Sequence, residues 1–224
     1  MSFLPRLDIL PAPQQQLWPE LAQVPRKFVL YDGTGLALRL AHRQSVDFDF
    51  FSSESFLPEE LFSLPLLQGA QVIRSRQDQL VVTVDRGGPV KLDFIGGLVN
   101  GRVGNPDLTD DAVARVASLL DIAGNKMGAI WNRSAAKDML DVYALLESGM
   151  PMAEMFAAAR AIYGEQFNPM VAVRNFGSFV DGDLPTVPAN VRGVLSRAAG
   201  LMSLHHLPVF PRLPGGVSGD AATP

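Results

Sequence analysis

Hydrophobic and polar positions along the chain follow first a period of two and then a helical one. In "SVDFDFF", residues 45 to 51, Val46, Phe48 and Phe50 point one way and Asp47 and Asp49 the other, which predicts a half-buried strand with an acidic polar face. Upstream, "KFVLY" (27–31) is a β-rich run ending at Asp32-Gly33, and "TGLALRLAHR" spaces Leu36, Leu38 and Leu40 among small and basic residues. The order expected is strand, turn, then a helix starting at Thr34. After a short helix near "PEELFSLPLL", three further strands are expected in "AQVIRSR", "LVVTVD" and "VKLDFIG", extending a mixed sheet. From Thr109 the pattern turns Ala- and Leu-rich through "DDAVARVASLLDIAGNKMGAIWNRSAAKDMLDVYALLESGM" and "MAEMFAAARAIYG", which predicts helices.

Prolines and glycines mark the edges. Pro5, Pro11, Pro13, Pro19 and Pro25 surround one short apolar stretch, "LWPELAQV", so residues 5 to 25 read as a preface packed on a fold that begins at Lys27. "LPVFPRLPGGVSGDAATP" (207–224) reads as a tail with little order. The expected class is α+β: a mixed-sheet core with its preface over 1–106, a helical domain over 107–206 and a flexible tail over 207–224, with a soft boundary in "GNPDLTD".

Composition narrows the chemistry. With 224 residues, 47% hydrophobic and 19% charged, the chain can bury one substantial core and a small second one. The absence of cysteine excludes disulfides, thiolate zinc sites and a cysteine nucleophile, so a metal must sit on oxygen or on one of three histidines. A net charge of −4 gives no global pull towards nucleic acid, although a local basic patch is compatible with it. No apolar run reaches the roughly 18 to 20 residues needed to cross a bilayer, and prolines interrupt the N-terminus before a signal-peptide core forms. The expectation is a soluble, cytoplasmic protein with no membrane partner.

Asp47 and Asp49, two residues apart on one strand, are close enough to share one magnesium ion or bridge two. The competing reading is a solvated strand face, but Asp is a poor strand former and the flanking residues are Phe and Val rather than Lys or Thr. Asp93 in "KLDFI" offers a third carboxylate, and three acids on neighbouring strands suit a two-metal phosphoryl-transfer site. Gly33 and Thr34 form either an ordinary helix cap or a turn whose N–H groups and helix N-terminus accept a phosphate. Lys126, Arg133, Lys137 and Asp141 share one stripe if the helix is continuous; otherwise it breaks at Ser134, a good N-cap. From the residues alone Lys137 and Asp141 read as a surface i,i+4 ion pair, and His205-His206 as a surface pair.

These stretches resemble a known family. "FVLYDGTGLALRLAHRQSVDFDFFS" (28–52) is similar to the DNA polymerase β-like nucleotidyltransferases and, more narrowly, to the AbiEii/AbiGii abortive-infection toxins. "NKMGAIWNRSAAKDMLDVYALL" (125–146) resembles that family's later Lys-containing and Lys-Asp-x-x-Asp motifs. The two blocks and the region between them span roughly residues 25 to 150. The resemblance implies a nucleotidyltransferase core that moves a nucleoside monophosphate from a triphosphate to an acceptor hydroxyl, with tRNA or another RNA as acceptor and a cognate antitoxin as partner. It implies magnesium on Asp47, Asp49 and Asp93, with Asp93 as base, and phosphate contacts from Gly33 and Thr34. It also implies nucleotide-binding and active-site roles for Lys126, Lys137 and Asp141, and leaves Arg43, Arg133 and Asp138 without a role. One departure is Asp32, where the family has the first glycine of a pair. That residue is the best argument for the alternative, a catalytically degraded member serving as a binding or regulatory module.

Overall fold

A computed structural model describes residues 2–219. The strands are β1 Ser2–Phe3, β2 Val29–Leu30, β3 Asp47–Phe51, β4 Gln71–Arg76, β5 Gln79–Asp85, β6 Pro89–Ile95, β7 Asp107–Thr109 and β8 Arg115–Val116. The helices are α1 Ala12–Leu17, α2 Asp32–Leu40, α3 Glu59–Phe62, α4 Leu119–Asn132, α5 Ala136–Glu147, α6 Met152–Tyr163, α7 Pro169–Asn175 and α8 Ala189–Leu201. They form two compact units, one of residues up to Ser118 with those from Leu213 onward, the other of Leu119–Arg212. The class is α+β.

The first unit holds a single mixed sheet in the order β1-β7-β8-β2-β3-β6-β5-β4. β3 lies parallel to β6, and β6, β5 and β4 run antiparallel to one another. The period-two alternation puts Phe48, Phe50, Leu80, Val82, Leu92 and Phe94 on one face, all buried in the main core. Phe50 stacks on Phe94 with centroids 5.3 Å apart, and Phe28 meets Phe94 edge-on. Each such fully buried ring contributes on the order of 2 kcal/mol through burial. The opposite face of the same strands carries the candidate chemistry.

Three expectations require correction. The Pro-rich preface belongs to the core, since Leu10, Leu17, Trp18 and Leu21 are buried with the sheet phenylalanines, so the fold does not begin at Lys27. The segment 107–116 is strand rather than the start of the helical half. β7 and β8 pair with each other through a turn containing Ala112 in a left-handed conformation, then with β1 and β2, and this long-range pairing overrides the local helical pattern. The compact units therefore divide at Ser118, later than the expected boundary. Residues 213–219 are docked rather than loose: Leu213 bridges to Arg102, and Val217 and Ser218 are buried. Residues 220–224 of the expected tail lie outside the described residues.

In the second unit α4 packs closely on α6. A Cβ at Gly124 would stand 3.0 Å from the Ala158 carbonyl carbon, and one at Gly128 2.5 Å from the Tyr163 ring; glycine at both positions permits the approach. α4 and α5 are separate helices, broken at Ser134, whose φ is +40°. Ser134 is not the N-cap; its Oγ donates back to the Ile130 carbonyl (2.9 Å), and Ala135 occupies the cap position. Among the described residues, no helix is long and apolar enough to cross a membrane.

Candidate active site

β3 and β6 lie side by side with Asp49 opposite Asp93 and Asp47 opposite Lys91. Because Phe48, Phe50, Leu92 and Phe94 take the core face, all four polar residues project from the other. Lys91 Nζ lies 3.5 Å from Asp47 Oδ2. The Asp49 carboxyl is pushed up to about 7, first by burial and then by the negative charges of Asp32 and Asp47. Burial also raises Asp93, against the opposing pull of Lys91, Gln79 and Arg74. Asp93 Oδ1 is buried with no hydrogen-bond partner. A buried, unsatisfied carboxylate oxygen beside another carboxylate that resists ionisation is the environment a divalent cation relieves. The donor set is therefore suited to magnesium, which prefers oxygen. Asp47, Asp49 and Asp93 do not all bring ligand oxygens within 4.8 Å of one another; mutual repulsion and the Lys91 contact both oppose such convergence.

The turn ahead of α2 is tied to this strand. Helix α2 starts at Asp32, two residues before the expected Thr34, and Asp32 has φ +56°. That left-handed conformation favours glycine, but Asp is among the side chains that tolerate it. The turn thus keeps a glycine-like backbone where the family pattern has glycine. A Cβ on Gly33 would stand 2.6 Å from Arg43 Nη2, so glycine here lets the guanidinium lie against the turn. Thr34 is 0% exposed, and its hydroxyl donates to the Asp47 carbonyl. The Tyr31 N–H donates to the Asp49 carbonyl (2.9 Å), its ring stacks on Phe51 with centroids 5.0 Å apart, and its hydroxyl donates to the Val217 carbonyl (2.9 Å). Sequence reading missed the placement of Tyr31 and Arg43: Tyr31 directly precedes the turn, whereas Arg43, singled out only by the resemblance and without a role, follows α2 and reaches Gly33 through the fold.

The helical unit holds a second set of charges. Lys126 is 1% exposed, with its ammonium 3.0 Å from Asp138 Oδ1 and 2.7 Å from Asp141 Oδ2. Arg133 Nε lies 3.6 Å from Asp138 Oδ2. Asp138 and Asp141 are fully buried, whereas Lys137, immediately before Asp138 in sequence, is exposed. The expected surface pairing of Lys137 with Asp141 gives way to a buried pairing with Lys126, because the break at Ser134 turns α5 so that 138 and 141 face inward. His205 and His206 are exposed, and His206 Nδ1 lies 3.0 Å from Ser203 Oγ.

The model of the family described as nucleotidyl transferase AbiEii toxin, type IV toxin–antitoxin system, matches residues 20–193. Among solved structures, an H. pylori protein bearing a provisional nucleotidyltransferase description superposes with a TM-score of 0.54 at 18% identity, over 84% of this chain and 91% of that one. At that identity the likeness speaks for the fold. A search of curated proteins returns no significant match. The acidic strand, the glycine turn and the later Lys-Asp block all fall inside the matched region, and the chain belongs to the AbiEii nucleotidyltransferase toxin family.

Proposed function

We propose that the protein transfers a nucleoside monophosphate from a nucleoside triphosphate to a hydroxyl of tRNA or another RNA, in the cytoplasm, with magnesium on Asp47, Asp49 and Asp93. The observation that carries this reading is the register of β3 on β6, which sets Asp49 beside Asp93 on the face tied to the Gly33 turn. Bound magnesium supplies charge neutralisation at the transferring phosphoryl group. The chain's own residues do the rest. Backbone N–H groups at the start of α2, with the Arg43 guanidinium against Gly33, receive the triphosphate. Asp93 accepts the proton of the acceptor hydroxyl as its oxygen bonds to the α-phosphorus, and the bond to the departing pyrophosphate breaks. Lys137, with an exposed ammonium, takes the nucleotide contact implied for it, while Lys126 orients Asp141 from inside. A separately encoded antitoxin neutralises the protein.

Incubation with each α-labelled triphosphate, magnesium and total cellular RNA tests the reading: label should enter RNA with one of the four. The alternative, a degraded binding module, rests on Asp32. Its left-handed backbone speaks for a turn that has kept its geometry. If none of the four triphosphates raises the melting temperature in the presence of magnesium, the degraded module becomes the better reading; a bound ligand at about 100 times its Kd should add roughly 2.7 kcal/mol.

A further inference from the structure

The face that carries the acids does not end at β6. Reading outward along the hydrogen-bonded register, Asp49 is opposite Asp93, Asp93 opposite Val81, and Val81 opposite Arg74. The neighbouring row runs from Phe51 through Ile95 and Gln79 to Arg76. Arg74 and Arg76 therefore stand on the same face as Asp49 and Asp93, with Thr83 and Gln71 ending the third row beyond Asp47 and Lys91. Side-chain interactions agree with the register. Arg76 Nε donates to Gln79 Oε1 (3.1 Å), Gln79 in turn hydrogen-bonds Asp93, and the Arg74 charge opposes the rise of the Asp93 carboxyl. Both arginines are exposed, and β4 carries no acidic residue.

Adjacent strands are about 4.8 Å apart, so Arg74 lies roughly 10 Å beyond Asp93, and Arg76 follows it at about 7 Å. Two arginines at that spacing suit successive phosphates of an extended polynucleotide, and guanidinium is the side chain best shaped for phosphate. On the intervening strand Val81 separates Arg74 from Asp93, and Gln79, beside Arg76, offers a hydrogen bond that needs no particular base. The other occupant to weigh is a protein strand added to the free edge of β4. That is disfavoured by the register shift between Val72 and Arg74, since a bulge interrupts edge pairing. The basic residues also project from the face and not along the edge.

We propose that the β5–β4 face is the acceptor track: it binds the phosphate backbone of the RNA end through Arg74 and Arg76 and delivers the terminal hydroxyl to Asp93. The proposal rests on the nucleotidyl-transfer reading for its direction, but the surface can be tested without turnover. Binding of bulk tRNA, and of a mixed-sequence RNA single strand of about 12 nucleotides, is measured by fluorescence anisotropy against salt for the wild type and for R74Q/R76Q. The variant should bind about tenfold more weakly, and its log–log salt slope should be shallower by about 1.4, the loss of two single-strand phosphate contacts. Its magnesium–triphosphate thermal shift should equal that of the wild type, and in the transfer assay the acceptor KM should rise with kcat kept. Unchanged RNA affinity and slope, or no RNA binding by the wild type, overturns the track while a surviving triphosphate shift leaves the transfer reading standing. Unchanged RNA binding with weakened capture of an acidic β-strand peptide hands β4 to a protein partner. Arginine-dependent RNA binding without any triphosphate shift keeps the track and removes the transfer reading.

Discussion

The two acidic clusters differ in where their counter-charge comes from. In the helical unit, Asp138 and Asp141 are buried completely, and the cations facing them are built in as Lys126 and Arg133. On the sheet, Asp47, Asp49 and Asp93 are only partly buried, and one lysine, Lys91, faces them at the strand. Buried carboxylates persist only when paired, hydrogen-bonded or protonated. The helical cluster takes the first route. On the sheet Asp49 takes the last, with its carboxyl pushed up to about 7. The helical cluster carries its counter-charge within the fold, whereas the sheet cluster has one lysine for three carboxylates.

The sharpest way to break this contrast is Asp47→Asn. Asn keeps the size but loses the charge that holds magnesium, so transfer should fall by about 10³-fold or more. The apo melting temperature should hold or rise, because one of several crowded like charges is removed. Labelled transfer and melting measured on the same preparation decide it. A variant that transfers normally removes Asp47 from the site, and one that melts much lower makes it structural.

Lys126→Met tests the other side. Removing the ammonium strands two buried carboxylates, and the loss expected is about 3–5 kcal/mol by denaturant unfolding. A change under about 1 kcal/mol would mean that the ammonium is not what pairs them. Thr34→Val should cost less, on the order of 1 kcal/mol, by deleting the hydroxyl that donates to the Asp47 carbonyl; Thr34→Ser should recover most of the loss, whereas a role confined to direct phosphate contact would leave melting unmoved.

Asp49 gives a pH signature of similar size. Folded, it binds its proton near pH 7; unfolded, near about 3.9. Its contribution to apo stability is therefore complete below about pH 4 and is lost as pH climbs through 7. Discounted for partial solvation, the swing is of order 1–2 kcal/mol. Asp49→Asn should flatten that part of the profile. Smallest is Lys137→Ala: an exposed residue should change stability by under about 0.5 kcal/mol, and any weakening of the triphosphate thermal shift then reports nucleotide contact alone.

How legible these features were in the sequence depended on the range of the forces behind them. β3, β5 and β6 were readable because each is long enough for alternation to declare itself, and with them came the shared face of Asp47, Asp49 and Asp93. β2 was readable only as the β-rich run "KFVLY", whereas β1, β7 and β8 are two or three residues long, too short for a local period to announce them, and β1 finds its partner far along the chain. Trp18 and Leu21 were hidden among prolines that read as punctuation. Lys126 illustrates another limit: a motif identifies a lysine, but burial between two aspartates depends on the break at Ser134 and the turn of α5. Arg74 and Arg76 were visible as part of a strand, yet their link to Asp93 exists only through the register of three strands.

The stitch between residues 213–218 and the sheet has a temporal meaning. The Tyr31 hydroxyl, Ser53, Arg102 and Arg115 all bond backbone or side-chain atoms of this segment, and Tyr31 sits at the head of the Gly33 turn. The chain leaves the sheet unit after Ser118 and returns at Leu213, so the whole helical unit is synthesised before the stitch can close. At roughly 5–20 residues per second, the nascent sheet spends many seconds with Tyr31 lacking its carbonyl partner. The contacts that close the sheet unit around Tyr31 therefore form only after the helical unit has been made.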